Sequence, residues 1–199
     1  MACRIDFHFD FSSPYGFLAA MKIDEVARKT SCRVIWRPFL LGAVYKTVGQ
    51  SPLEHPLKRR YMIEVDVPRI GRREGLDIKV PAGFPEHSLP AARAFYRIEA
   101  QVPDKAPEFA KAAYRKYWLE GRSTADIGVA VEVAETFGFD RDSISAGMQD
   151  PTIKLKLTRE NEQAIASGVF GSPFFIVDGE PFWGSDRLVD VAERLAPRR

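Results

Sequence analysis

An α/β fold with an all-helical insertion is predicted for this 199-residue chain by three features. Strand patterns lie at both ends of the chain, around a middle that reads as helix. The first strand leads at once into a helix and a second strand, the signature of a parallel crossover unit. Near the C-terminus, Asp178-Gly179 separates two apolar runs, the strongest local signal for a hairpin.

Residues 4–10 alternate strictly, with Ile5, Phe7 and Phe9 on one face, the period of a half-buried strand. Phe11-Ser12-Ser13-Pro14 follows as strand end, loop and helix start, because serine caps helices and proline suits their first position. That helix is expected to run from Pro14 to about Lys29, with Phe17, Leu18, Met21 and Val26 turned inward. Arg33-Val34-Ile35-Trp36 is the second strand and ends at Arg37-Pro38.

Residues 42–90 are rich in glycine, proline and charge, with one helix expected over Pro56–Gly71. Helices then follow at Ala91–Ala100, Pro107–Gly121 and Thr124–Gly138. In the second of these, Phe109, Ala113 and Tyr117 recur at the spacing of a packed amphipathic stripe. Gly121 and Gly138 stand where helix C-caps are expected. Asp150-Pro151 opens a helix with Ile153, Leu157, Asn161 and Ile165 on one face, closed by Gly168. The hairpin comes next, with Pro181 assigning its strand to an edge. A last helix follows Gly184-Ser185-Asp186, with Leu188, Ala192 and Leu195 aligned.

This order is the thioredoxin topology with an all-helical insertion. The expected division is residues 1–54 and 151–199 for the thioredoxin-like part and 55–150 for the insertion.

Composition narrows the function classes. Lys+Arg total 29 against 27 Asp+Glu, a balance that does not point to nucleic acid or an anionic membrane. No apolar run is long enough for a membrane span. The N-terminus enters the strand pattern without the layout of a signal peptide, which points to the cytoplasm. His8, His55 and His87 form no short-range pair with each other or with a cysteine, so no metal site is expected. Cys3 and Cys32 are expected to be reduced structural thiols, with a disulfide between them as the alternative.

The chemistry centres on the first helix. Thioredoxin-fold oxidoreductases carry Cys-X-X-Cys there, because free N–H groups and the helix dipole stabilise a thiolate. Here the same place reads Ser13-Pro14-Tyr15-Gly16, so disulfide exchange at this loop is excluded. A Ser13 hydroxyl can instead donate to a thiolate supplied by a ligand; the plainer alternative is that Ser13 only caps the helix. Gly171-Ser172-Pro173-Phe174 occupies the position where these folds carry a cis-proline. With Pro173 cis, the Ser172 backbone would pair strand-fashion with a bound peptide thiol; an ordinary trans proline is the alternative. Ser185 and Asp186 can cap the last helix, or bind the carboxylate and ammonium of a γ-glutamyl group.

Three segments carry a family resemblance: Asp10-Phe11-Ser12-Ser13-Pro14-Tyr15, Gly168-Val169-Phe170-Gly171-Ser172-Pro173, and Phe182-Trp183-Gly184-Ser185-Asp186-Arg187-Leu188. Together they resemble the 2-hydroxychromene-2-carboxylate isomerases and their relatives, the kappa-class glutathione transferases, in order and spacing across nearly the whole chain. The resemblance implies a glutathione-dependent enzyme, usually a homodimer, with Ser13 facing the glutathione sulfur. By the same match Ser172, Pro173, Ser185 and Asp186 would hold the tripeptide.

Gln50 stands where the family usually has asparagine, and Lys58 falls in a basic segment from which a lysine reaches glutathione's glycyl carboxylate. A solvated basic helix face is the other account of that segment. On the substrate side, Tyr45, His55 and Ser88 fall near the family's places for an aromatic carboxylate. Tyr15, Arg37 and Trp183 suit such a ligand chemically, or serve packing. The resulting expectation is a glutathione-dependent cis–trans isomerase of hydroxychromene-type aromatic carboxylates. A kappa-like transferase is the first alternative and a non-catalytic thioredoxin-like binding module the second.

Overall fold

The computed structural model describes residues 3–49, 51 and 53–196. Strand β1 (Arg4–Phe9) is followed by helices α1 (Pro14–Ala20) and α2 (Ile23–Thr30), then strand β2 (Arg33–Pro38). A helical stretch follows: α3 (Leu41–Val48), α4 (Pro56–Arg60), α5 (Val67–Glu74), α6 (Leu89–Gln101), α7 (Ala106–Trp118), α8 (Ile127–Glu135), α9 (Arg141–Gln149) and α10 (Pro151–Ala166). Strands β3 (Phe174–Val177) and β4 (Glu180–Trp183) and helix α11 (Leu188–Leu195) complete the chain. The sheet order is β2-β1-β3-β4, with β1 and β2 parallel and both β3 contacts antiparallel. This is a thioredoxin fold elaborated by helices between β2 and β3. The hairpin turn is as expected: Asp178 (φ 50°) and Gly179 (φ 82°) both take the left-handed conformation that such a two-residue turn requires. Pro181 lies on the edge strand, where its missing N–H costs nothing.

Several expectations are corrected. The first helix is not continuous to Lys29. At Met21-Lys22 the bonding tightens, with the Lys22 N–H donating to the Ala19 carbonyl, and the chain turns so that Ile23 becomes fully buried. Strand β1 is buried on both faces, not one, because it is internal to the sheet; Asp6 and His8 on its polar face are covered. The helix expected over Pro56–Gly71 runs on to Glu74 and ends at Gly75, which takes the left-handed cap conformation at φ 68°. Its middle, Tyr61–Asp66, is π-helical. Pro68 follows closely; it lacks an N–H and crowds the carbonyl four residues back, and the wider π turns accommodate it. Helices α3 and α9 were hidden by short length, and α8 starts later than expected, at an Asp126 cap.

Cys3 and Cys32 are joined as a disulfide, in place of the expected free thiols. The register sets Arg4 opposite Arg33, so the cysteines just before them meet across neighbouring strands with Cα atoms 4.6 Å apart, within disulfide range.

The helical stretch grips the end of β1. From α7, the Tyr114 hydroxyl donates to the Asp10 carbonyl (2.9 Å) and the Trp118 indole to the Phe11 carbonyl (3.2 Å). Phe9, Phe11, Phe17 and Tyr114 pack around these bonds. Buried carbonyls of a strand-to-helix loop are thereby satisfied, and the loop is held against a rigid aromatic floor. Among the described residues no helix is long and apolar enough to cross a membrane.

Candidate active site

Above that floor opens a cavity of about 1670 Å³, bounded by the Ser12–Tyr15 loop, α3, the α4–α5 arm, Phe84–Ser88 and the Gly171-Ser172 and Trp183–Asp186 segments. Ser13 lies on its wall, 5% exposed. Its hydroxyl accepts from the Gly16 N–H (3.0 Å), so it caps α1, and donates to the Ser172 carbonyl (2.8 Å). The capping account is therefore correct, and the same hydroxyl also ties the two loops that flank the cavity floor. Pro173 is cis and sets Ser172 beside Ser13. Two backbone donors here, the N–H groups of Tyr15 and Ser172, make no hydrogen bond among the described residues. A helix start with a spare N–H beside a hydroxyl can accept an anion such as a thiolate.

Gly16 occupies the second cysteine position of the redox loop. A Cβ there would come within 2.5 Å of the Tyr114 hydroxyl and 2.9 Å of the Ser172 hydroxyl. The loop has therefore lost the space for a second sulfur as well as the residue.

Behind Ser13 sits Asp10, which the sequence reading did not assign. It is 3% exposed, and its carboxylate accepts from the Leu41 N–H (2.6 Å), the Ser12 N–H and hydroxyl (2.8 Å each) and the Ser88 hydroxyl (2.7 Å). Burial pushes its carboxyl above the usual range, against the bonds from Leu41 and Ser12, which favour the charged form. Its main chain is engaged too: the Asp10 N–H donates to the Ser172 hydroxyl (2.9 Å) and its carbonyl accepts from Ser13 N–H (2.9 Å) and Tyr114. Asp10 thus caps α3, whose own Leu40 provides no side-chain cap.

The other expected site residues divide. Tyr15, Tyr45, Lys58, Ser88, Ser172, Ser185 and Asp186 line the cavity. Tyr15 donates to Asp66 (2.7 Å), tying α1 to the α4–α5 arm, and burial followed by that bond raises its phenol. The Tyr45 phenol is pushed up to about 12, by burial first and then by the Asp10 charge. Lys58, and Lys46 which the reading left out, have no ion-pair partner among the described residues. Ser185 does not cap the last helix: Ser185–Arg187 is a short 3₁₀ turn without a side-chain cap, and α11 starts after it. Asp186 is exposed and ion-paired to Arg187 (2.6 Å). Ser88 spends its proton on Asp10.

Two residues are misplaced by the sequence reading. Arg37 is outside the cavity, bound to Asp6 (2.7 Å) and Glu160 (3.2 Å), because β2 presents it to the covered polar face of β1. His55 is exposed just before α4 and does not line the cavity. Gln50 lies outside the described residues. Asp10 could have been found from its place in the Asp10-Phe11-Ser12-Ser13 segment and Lys46 from its place beside Gln50; Asp66 carried no signal in the sequence.

A family model for the DSBA-like thioredoxin domain matches residues 4–196. The chain thus belongs to the DSBA-like thioredoxin proteins, and within them to the 2-hydroxychromene-2-carboxylate isomerase family. It is 31% identical over 191 residues to the 2-hydroxychromene-2-carboxylate isomerase of Sphingobium xenophagum, covering 94% of this chain and 95% of the relative. It is 25% identical to the glutathione S-transferase kappa 1 of Caenorhabditis elegans, covering 96% of this chain and 90% of that protein. Among solved structures, a 2-hydroxychromene-2-carboxylate isomerase superimposes with a TM-score of 0.86 at 24% identity, over 96% of this chain and 94% of that one.

Proposed function

We propose that this protein is a glutathione-dependent cis–trans isomerase of 2-hydroxychromene-2-carboxylate-type aromatic carboxylates. The observation that carries the reading is the start of α1: the Ser13 hydroxyl and the spare Tyr15 N–H stand on a cavity wall where relatives of this fold place a cysteine. Glutathione, when bound, would supply the thiolate this loop lacks, adding reversibly to a conjugated double bond so that the bond can rotate.

The chain's own residues then have definite tasks. Ser13 turns its proton from the Ser172 carbonyl to the sulfur, while Tyr15 N–H adds a second donor. The Ser172 N–H and carbonyl pair with the tripeptide's main chain. Ser185 and Asp186 take the γ-glutamyl carboxylate and ammonium, Asp186 exchanging Arg187 for the ligand's cation. Lys58 takes the glycyl carboxylate, which leaves Lys46 and Tyr45 on the same wall for the aromatic carboxylate. Because each donor strengthens as sulfur gains negative charge, these groups favour the thiolate over the thiol.

The test is turnover of a 2-hydroxychromene-2-carboxylate with glutathione followed in parallel. The proposal expects isomerisation that requires glutathione and leaves its concentration unchanged; isomerisation without any requirement for glutathione would refute it. A transferase reading is favoured by the kappa 1 relative, and consumption of glutathione by an electrophile, without isomerisation, would establish that reading instead.

A further inference from the structure

Asp10 is the buried acid that this function does not yet use. It lies at the junction of the elements that frame the cavity: the N-termini of α1 and α3 through Ser12 and Leu41, the Ser88 turn before α6, the Ser172 loop and Tyr114 of α7. All of its partners are neutral. Among the described residues no lysine, arginine or histidine pairs with it. The titratable groups facing it are Tyr45 of α3 and Tyr114 and Tyr117 of α7, and each phenol is made less acidic in part by the Asp10 charge. When ionised, the carboxylate is solvated by four hydrogen bonds and cancelled by no cation among the described residues.

We propose that Asp10 is the positioning residue of the thiol site and that its uncancelled charge sets the acidity of the bound thiol. This inference rests on the reading that a glutathione thiol docks at Ser13. The N-terminus of α1 and the Ser13 hydroxyl draw the thiol towards thiolate; Asp10, whose carbonyl holds the Ser13 N–H, pushes the other way. Opposition is useful. Thiolate nucleophilicity falls as the thiol pKa falls, so the best attacking thiol titrates close to the ambient pH. A helix start alone can lower a thiol by several units, into a range of abundant but sluggish thiolate. Asp10 holds it nearer neutrality, and binds the cavity walls in place with the same carboxylate.

The experiment is an ultraviolet titration of the glutathione thiolate bound to the full-length protein, in wild type, Asp10→Asn, Asp10→Ser and Ser88→Ala. Calorimetry first establishes that glutathione binds each protein. The two neutral variants should lower the pKa of the bound thiol by about one unit. The serine variant is included because an asparagine amide turned towards Leu41 N–H could disturb the fold. Ser88→Ala keeps the carboxylate and should titrate closer to wild type than to the neutral variants, whereas a merely structural role would group it with them. An unchanged or raised thiol pKa in the folded neutral variants overturns the proposal while leaving the glutathione site intact. Failure of wild type to bind glutathione removes the site itself and this inference with it.

Discussion

Asp6 within β1 and Asp10 just beyond its end are both buried acids, and they are held in opposite ways. Asp6 faces Arg37, which also reaches Glu160, while Lys156 pairs with Glu160 from the other side (2.7 Å). There the charges cancel, between the sheet and α10, with His8 beside them and none of the four lining the large cavity. Asp10 has only neutral donors and stands at the wall of the large cavity. A cluster neutralised by cations is a structural fixture. An acid held only by neutral donors has, when ionised, no neighbouring cation to cancel it.

The largest expected effect sharpens the structural half. Arg37→Met removes the cation that Asp6 and Glu160 share, leaving Asp6 to Arg4 and Glu160 to Lys156, and should cost at most about 3–5 kcal/mol in denaturant unfolding. Glutathione affinity of the remaining folded protein should be unchanged; a kinetic defect without loss of stability would return Arg37 to the substrate site. On the cavity side, Ser13→Ala should lower turnover by about 10²–10³, the usual loss for one donor to a developing anion. The lost cap costs stability only about 0.5–2 kcal/mol, so unfolding and turnover separate the two roles of Ser13.

Acid should weaken the covered face around Asp6, His8 and Arg37. Burial, followed by the Arg37 charge, depresses His8 from 6.5 to about 4, so the folded state requires it neutral. The stability this contributes is fully present above pH 6.5 and is lost as pH falls towards 4, worth about 3 kcal/mol in all. Unfolding curves of wild type and His8→Gln across that window should diverge in slope; parallel curves would show that His8 is not the sensor. The smallest effect is at the rim. Asp186→Ala, at an exposed residue, should weaken glutathione binding about tenfold by calorimetry with no change in melting temperature.

Much of this architecture was legible before any coordinates. The alternation of Ile5, Phe7 and Phe9, the Asp178-Gly179 turn and the Phe109-Ala113-Tyr117 stripe of α7 are local patterns, and each element appears where its pattern lies. Ser13, Ser172 and Asp186 were legible because motif order carries them to one place. What failed depends on register and on covering layers. The pairing of Cys3 with Cys32 follows from the offset of two strands, which neither segment encodes alone. Asp6, His8 and Arg37 look like a solvent face until α10 covers them, and Arg37 looked like a ligand residue only because a guanidinium suits an aromatic carboxylate. Asp10 was hidden for a further reason: its importance lies in donors drawn from residues 12, 41 and 88, distant in sequence.

The central claim is that this chain borrows a thiol and holds it as thiolate at Ser13. Calorimetric titration of glutathione into wild type and Ser13→Ala, repeated at neutral pH in two buffers of different ionisation heat, tests it most directly. The account predicts binding to wild type with release of a proton, because the free thiol, of pKa about 8.5, arrives protonated. It predicts a much smaller release from the Ser13→Ala complex. Binding with no proton released, or no binding at all, would contradict it.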